Sequence, residues 1–215
     1  MCFSAPVSFT AAVVLLGLGA ATIRWAPRGP GGAFAFVPLL FGMQQALEGA
    51  LWLAVDGTVG GTRSLTYGYV MFSHVLWPAF IPLAVLGAET DRRRRLPLLA
   101  LAAVGLAVAV YFATAIVVNG TTASPLEGRI DYDIPDPWPM AATFGYLAAA
   151  LGSLLVSGQR WVRAFGVACV LAAAVTYAVA AYAFASVWCF FAAALSTGLA
   201  ARFMRARPTA QRNVA

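Results

Sequence analysis

Lysine is absent from this sequence: all fourteen basic residues are arginine. That removes retinal and pyridoxal Schiff bases, a Walker-type phosphate-binding lysine and a lysine general base. Charge of either sign is scarce, at 10% of residues, whereas a soluble domain needs roughly 25% to cover its surface. The single histidine excludes a bis-histidine haem or a three-histidine zinc site built from one copy of the chain. What fills the space is apolar, at 61% of residues, so most of the surface has to face lipid. The net charge of +6 does not argue for nucleic acid as a partner, because the arginines flank apolar segments instead of forming one basic face.

A bilayer core about 30 Å thick takes roughly 20 apolar residues per helix. Seven segments qualify, at about 6–24, 33–55, 67–88, 96–118, 140–157, 164–184 and 187–203. The expected fold is an all-α polytopic membrane bundle of about seven transmembrane helices. A six-helix count with one re-entrant segment is the alternative, because the last two segments are barely separated. Residues 1–207 would form a single transmembrane domain, and 208–215 a disordered cytoplasmic tail. The arginines set the orientation. Arg24 and Arg28 follow the first segment, Arg92 to Arg95 the third, Arg160 and Arg163 the fifth, and Arg202, Arg205, Arg207 and Arg212 the seventh. Only Arg63 and Arg129 fall on the other side. Positive residues mark the cytoplasm, so the N-terminus is expected outside and the C-terminus in the cytoplasm, in a plasma membrane. Met1 to Thr22 carries no positive charge, unlike a cleavable signal peptide. The loop at 119–139, rich in Pro, Gly and Asp, is the one expected lid or docking surface.

Polar groups inside a membrane segment are costly and face the bundle interior. Gln44, Gln45, Glu48 and Trp52 recur at spacings of three and four on one face of the second helix, as His74, Trp77 and Pro78 do on the third. Glu48 lies seven residues before Val55 and His74 seven after Tyr67, so both sit about 10 Å below the outer boundary on antiparallel helices. They are at matching depth and can meet. Cys2 before the first helix and Cys189 just inside the seventh reach the same side, while Cys169 in the sixth is left apart as a small packed residue. Each residue also has a structural role open to it. Glu48 can act as interhelical glue with Gln45 or His74, Trp77, Trp138 and Trp188 can be interfacial belt residues, and Cys2 and Cys189 can form a disulfide on an oxidising side.

Several stretches together resemble an uncharacterised family of small bacterial multi-pass membrane proteins. They are Met1-Cys2-Phe3-Ser4-Ala5, Pro38-Leu39-Leu40-Phe41-Gly42, Gln44-Gln45 with Glu48-Gly49 and Trp52, Phe72-Ser73-His74-Val75-Leu76-Trp77-Pro78, Val162-Arg163 with Phe165-Gly166, and Ser186-Val187-Trp188-Cys189-Phe190-Phe191-Ala192-Ala193. The resemblance implies an architecture and a bacterial source, and it implies that Cys2, Glu48, His74 and Cys189 belong to the family pattern. It implies no reaction.

Two classes of function follow. In the first, Cys2, His74, Cys189 and Glu48 ligate a metal. Thiolates beside an imidazole favour zinc or copper over magnesium or calcium. With Glu48 as a catalytic base instead, one metal position stays open for water. Gln44, Gln45, Trp77 and Trp188 would orient these groups. In the second, the chain is a non-enzymatic transporter or accessory membrane subunit with a Glu48–His74 pair. Thiol–disulfide exchange between Cys2 and Cys189 is a third reading. The bilayer is the expected partner in all three, with a second copy of the chain or another membrane protein beside it.

Overall fold

The computed structural model describes residues 4–26, 29–126, 129–135, 138–180 and 184–205, with side chains for all of these except 179–180 and 184–190. Seven helices follow one another: α1 (Ala5–Trp25), α2 (Gly32–Val55), α3 (Thr62–Ala88), α4 (Arg92–Asn119), α5 (Pro139–Val156), α6 (Arg160–Ala180) and α7 (Phe184–Arg205). Among the described residues α1 to α6 are long and apolar enough to cross a membrane, and α7 has 22 residues. The protein is therefore the all-α membrane-type bundle that its apolar segments imply. The expected tail at 208–215 lies outside the described residues.

Helices α1 and α2 pack most closely, and the sequence shows why. The buried face of α1 is Ala5, Ser8, Ala12, Leu15, Gly19 and Thr22, alternating steps of three and four along one stripe. Glycines let the two backbones approach. A Cβ added at Gly19 would sit 2.5 Å from the Leu39 backbone nitrogen, one at Gly42 2.8 Å from that of Leu16, and one at Gly49 2.9 Å from the Phe9 ring. Close approach through small residues replaces the hydrophobic drive that lipid removes.

Prolines shape α3. Its Met71–Leu76 stretch is π-helical, and the Trp77 amide donates back five residues to the Phe72 carbonyl. The Ser73 carbonyl thereby loses its α-helical donor, and its π-helical donor would be Pro78, which has no N–H. The Tyr146 hydroxyl of α5 takes the place at 3.0 Å. Pro82 repeats the effect one turn on, removing the α-helical donor of the Pro78 carbonyl. Gly105 of α4 packs directly on that carbonyl oxygen, where a Cβ would overlap it.

One end of the bundle gathers the arginines. Asp91 caps α4, accepting from the Arg93 amide at 2.9 Å and pairing with Arg94 at 3.6 Å. Arg94 donates to the Val156 carbonyl at the end of α5, and Arg163 to the carbonyls of Ser157 and Gly158. Buried Glu89 accepts the backbone N–H groups of Asp91 and Gly158 on its two carboxylate oxygens. That single carboxylate ties the α3–α4 turn to the α5–α6 turn.

The other end carries a structure the sequence reading missed. The loop expected at 119–139 contains an antiparallel hairpin, β1 (Thr122–Leu126) and β2 (Arg129–Asp133), in the register Thr122↔Asp133 to Leu126↔Arg129. Pro125 argues against a strand, but in a two-stranded ribbon its missing N–H can face the free edge. Ile130 is buried and the Tyr132 ring stacks on Tyr69 of α3 at 4.5 Å, so the hairpin lies down on the bundle.

Candidate functional site

The most polar stretch of the bundle interior is the middle of α2, where Gln44, Gln45 and Glu48 are exposed by 0%, 1% and 0%. Gln45 Nε2 donates to Glu48 Oε2 at 3.1 Å across one helical turn. The Trp77 indole of α3 donates to Gln44 Oε1 at 2.7 Å, and its ring stacks on Phe41 at 4.1 Å. The Gln44 orientation follows from chemistry, because an indole only donates and so must meet the amide oxygen. Each amide keeps one atom without a partner, Gln44 Nε2 and Gln45 Oε1, both fully buried. Ser8 Oγ on the facing stripe of α1 is buried without a partner as well. Native interiors rarely leave such atoms unmatched, and hydrocarbon makes each more costly.

His74 sits on the π-helical stretch of α3 and is half-buried. Its Nδ1 lies 2.8 Å from Ser73 Oγ, and that hydroxyl donates to the helix carbonyls of Tyr69 and Val70 at 3.2 and 3.4 Å. The direction of the Ser73–Nδ1 bond depends on the imidazole tautomer, and in either case it holds the ring through Nδ1. The ring packs edge-on against Phe112 of α4 at 5.1 Å.

The structure thus joins Gln45 to Glu48 and Gln44 to Trp77, and it sets His74 against Ser73 and Phe112. Because α2 and α3 run antiparallel, the Gln44–Trp77 bond brings Glu48 and His74, each about a turn further toward the hairpin, to one level. Cys2, and the side chains of Cys189 and Trp188, lie outside the described residues. Among the described residues no group of three or more His, Cys, Asp or Glu lies together. Cys169 lines a small cavity of about 40 Å³ with Phe41, Trp77, Ile81, Tyr146 and Leu154. This almost wholly apolar wall lies between the polar stretch and the arginine end.

Sequence reasoning missed three contributors. For Ser73 the signal is Pro78, whose missing N–H obliges a carbonyl one turn earlier to find another donor, while nothing in the sequence names Tyr146 as that donor. Ser8 shows in the three-and-four stripe of α1, as the polar member of an otherwise small and apolar face.

Residues 1–214 match the model of a family described as a family of unknown function (DUF6629). No curated protein and no solved structure matches the chain.

Proposed function

We propose that this chain, which belongs to that family of unknown function, is a non-enzymatic membrane component that takes up a small cation at Glu48. The carrying observation is the fully buried Gln45 Oε1, an acceptor without a donor, beside a fully buried carboxyl group. Gln45 Oε1 is held next to the Glu48 carboxyl group by the Gln45–Glu48 hydrogen bond, so acceptor atoms are gathered there. Acceptors gathered in a low dielectric call for a positive occupant. A carboxylate at membrane depth is tolerated only with a compensating charge. A bound cation and a bound proton both supply it, so one displaces the other. This is the chemistry of a transporter or an accessory subunit coupled to protons. The arginine distribution supports an N-terminus outside a plasma membrane, with the hairpin facing outward.

The test is proton release. Wild-type protein in weakly buffered detergent, titrated with sodium, potassium or magnesium chloride, should release protons saturably, and Glu48→Gln should not. Equal release by the two proteins would end this reading.

One observation favours a second reading, in which zinc or copper is held by Cys2, Glu48, His74 and Cys189. The Ser73 hydrogen bond holds the His74 ring through Nδ1, as partners of metal-bound imidazoles do. Protein isolated without chelators should then carry close to one equivalent of zinc or copper by plasma mass spectrometry, falling in Cys2→Ser and His74→Ala. Metal-free protein with both thiols free would remove this reading, and a Cys2–Cys189 disulfide would turn it into a structural bridge.

A further inference from the structure

A cavity of about 470 Å³ opens at the hairpin end, between the start of α3 and the end of α4. Its lining residues include Arg63, the hydroxyl-bearing Thr66, Tyr67, Thr121 and Thr122, and Asn119. Among the described residues no carboxylate is in that wall, although Asp56, Asp131 and Asp133 all belong to this end of the molecule.

The hydrogen bonds show which groups are already engaged. Thr66 donates to the Thr62 carbonyl at 2.7 Å, Thr121 to the Asp133 carbonyl at 2.9 Å, and Asn119 gives one amide hydrogen to the Pro135 carbonyl at 3.3 Å. Arg63 has no ion-pair partner among the described residues. Its guanidinium lies 5.7 Å from the centre of the Tyr67 ring, which anchors the charge beside the cavity. Left over are the five N–H groups of a guanidinium, the Tyr67 and Thr122 hydroxyls and one amide hydrogen of Asn119. A fixed positive fork surrounded by hydroxyl donors selects an anion with several oxygens in one plane of approach, above all a phosphate.

The position of the cavity names the source. Directly before Asn119, Val117 and Val118 are 67% and 74% exposed, and they continue an apolar outer face of α4 that includes Leu106 and Val110. In a bilayer that face meets acyl chains, so the cavity lies above it at head-group level. We propose that the cavity binds the phosphate of a phospholipid head group through Arg63, with the acyl chains lying along the outer face of α4. This site is independent of Glu48.

Delipidated full-length protein in detergent, mixed with phosphatidylglycerol, with diacylglycerol of the same chains, or with inorganic phosphate, tests it by native mass spectrometry and thermal unfolding. Phosphatidylglycerol should be retained and should raise the unfolding midpoint, and diacylglycerol should do neither. Arg63→Ala should weaken retention about tenfold, the worth of one charged hydrogen-bonding pair. Arg63→Lys should weaken it less, because an ammonium keeps the charge and loses the fork. Both variants replace an exposed side chain, so their midpoints without lipid should match wild type. An equal, Arg63-dependent shift with inorganic phosphate would confirm the phosphate chemistry and make the free ion the ligand. Retention of phosphatidylglycerol by Arg63→Ala at the wild-type level, or equal retention of diacylglycerol, would overturn the proposal.

Discussion

Trp77 is a residue whose two halves do different things. Its ring stacks on Phe41, and its N–H fixes the Gln44 amide. Trp77→Phe keeps an aromatic ring and removes the donor, leaving a second buried amide atom unmatched. The expected loss is about 1–3 kcal/mol, read as a lowered thermal midpoint in detergent. Adding Gln44→Leu should return part of it, because removing both partners is milder than removing one. Glu48 divides in a similar way. Glu48→Gln preserves shape and can still accept from Gln45 Nε2, so folding should change by less than about 1 kcal/mol. Glu48→Ala opens a cavity and strands the Gln45 amide, and should cost about 2–4 kcal/mol. A midpoint that falls equally in both variants would show that the carboxylate charge itself holds the fold. Spacing alone brought Gln44, Gln45, Glu48 and Trp77 forward as candidates. The bond that joins two of them was not legible, because spacing says which residues share a face and not which atoms meet.

At the scale of elements, the helices were legible because hydrocarbon imposes length and apolarity on each span. The hairpin was not, because five-residue strands interrupted by Pro125 leave no periodic signal. The π-helical stretch of α3 stands between these cases. Nothing in Met71–Leu76 announces it, yet Pro78 removes a donor and so obliges some rearrangement of the preceding turn. This makes a coupling measurable. Tyr146→Phe leaves the Ser73 carbonyl without its hydroxyl donor and should cost about 1–2 kcal/mol. In a Pro78→Ala background a backbone N–H is restored within reach of that carbonyl, and the same change should cost much less. A double-mutant cycle on unfolding midpoints reads the difference, and equal costs in the two backgrounds would sink the explanation. Glu89 offers a second check. Both of its oxygens accept backbone N–H groups, so Glu89→Gln must turn an NH₂ toward one of those donors. That should lower the midpoint by the equivalent of about 1.5–3 kcal/mol, although the substitution removes a buried charge from an otherwise closed turn.

For the whole molecule, two physical rules meet in one helix and disagree. Arg92 to Arg95 occupy the first turn of α4, where the helix dipole disfavours cations by a few tenths of a kcal/mol each. Asp91 answers part of this as cap and ion-pair partner of Arg94, and the α5 carbonyl of Val156 takes a second bond from Arg94. A run of four arginines there has no folding advantage, which leaves membrane orientation as its explanation, because cytoplasmic arginines near a helix end decide which way a chain inserts. The same rule accounts for the distribution along the chain, since the described arginines other than Arg63 and Arg129 sit at the C-terminal ends of α1 and α7 and at the N-terminal ends of α4 and α6. On the proposed orientation, Glu48 and the Arg63 cavity fall in the half of the bundle that faces away from the cytoplasm. The orientation can be read directly. Cysteines introduced at Thr62 and Thr209 should differ from the wild-type background in opposite ways toward a membrane-impermeant maleimide applied to intact cells. Thr62→Cys should be labelled, and Thr209→Cys only after permeabilisation. The reverse pattern would put Glu48 and the hairpin on the cytoplasmic side. Replacing Arg92 to Arg95 with glutamine should then weaken the bias, giving a mixed labelling pattern in place of a loss of fold, because the helix start at Asp91 does not depend on those charges.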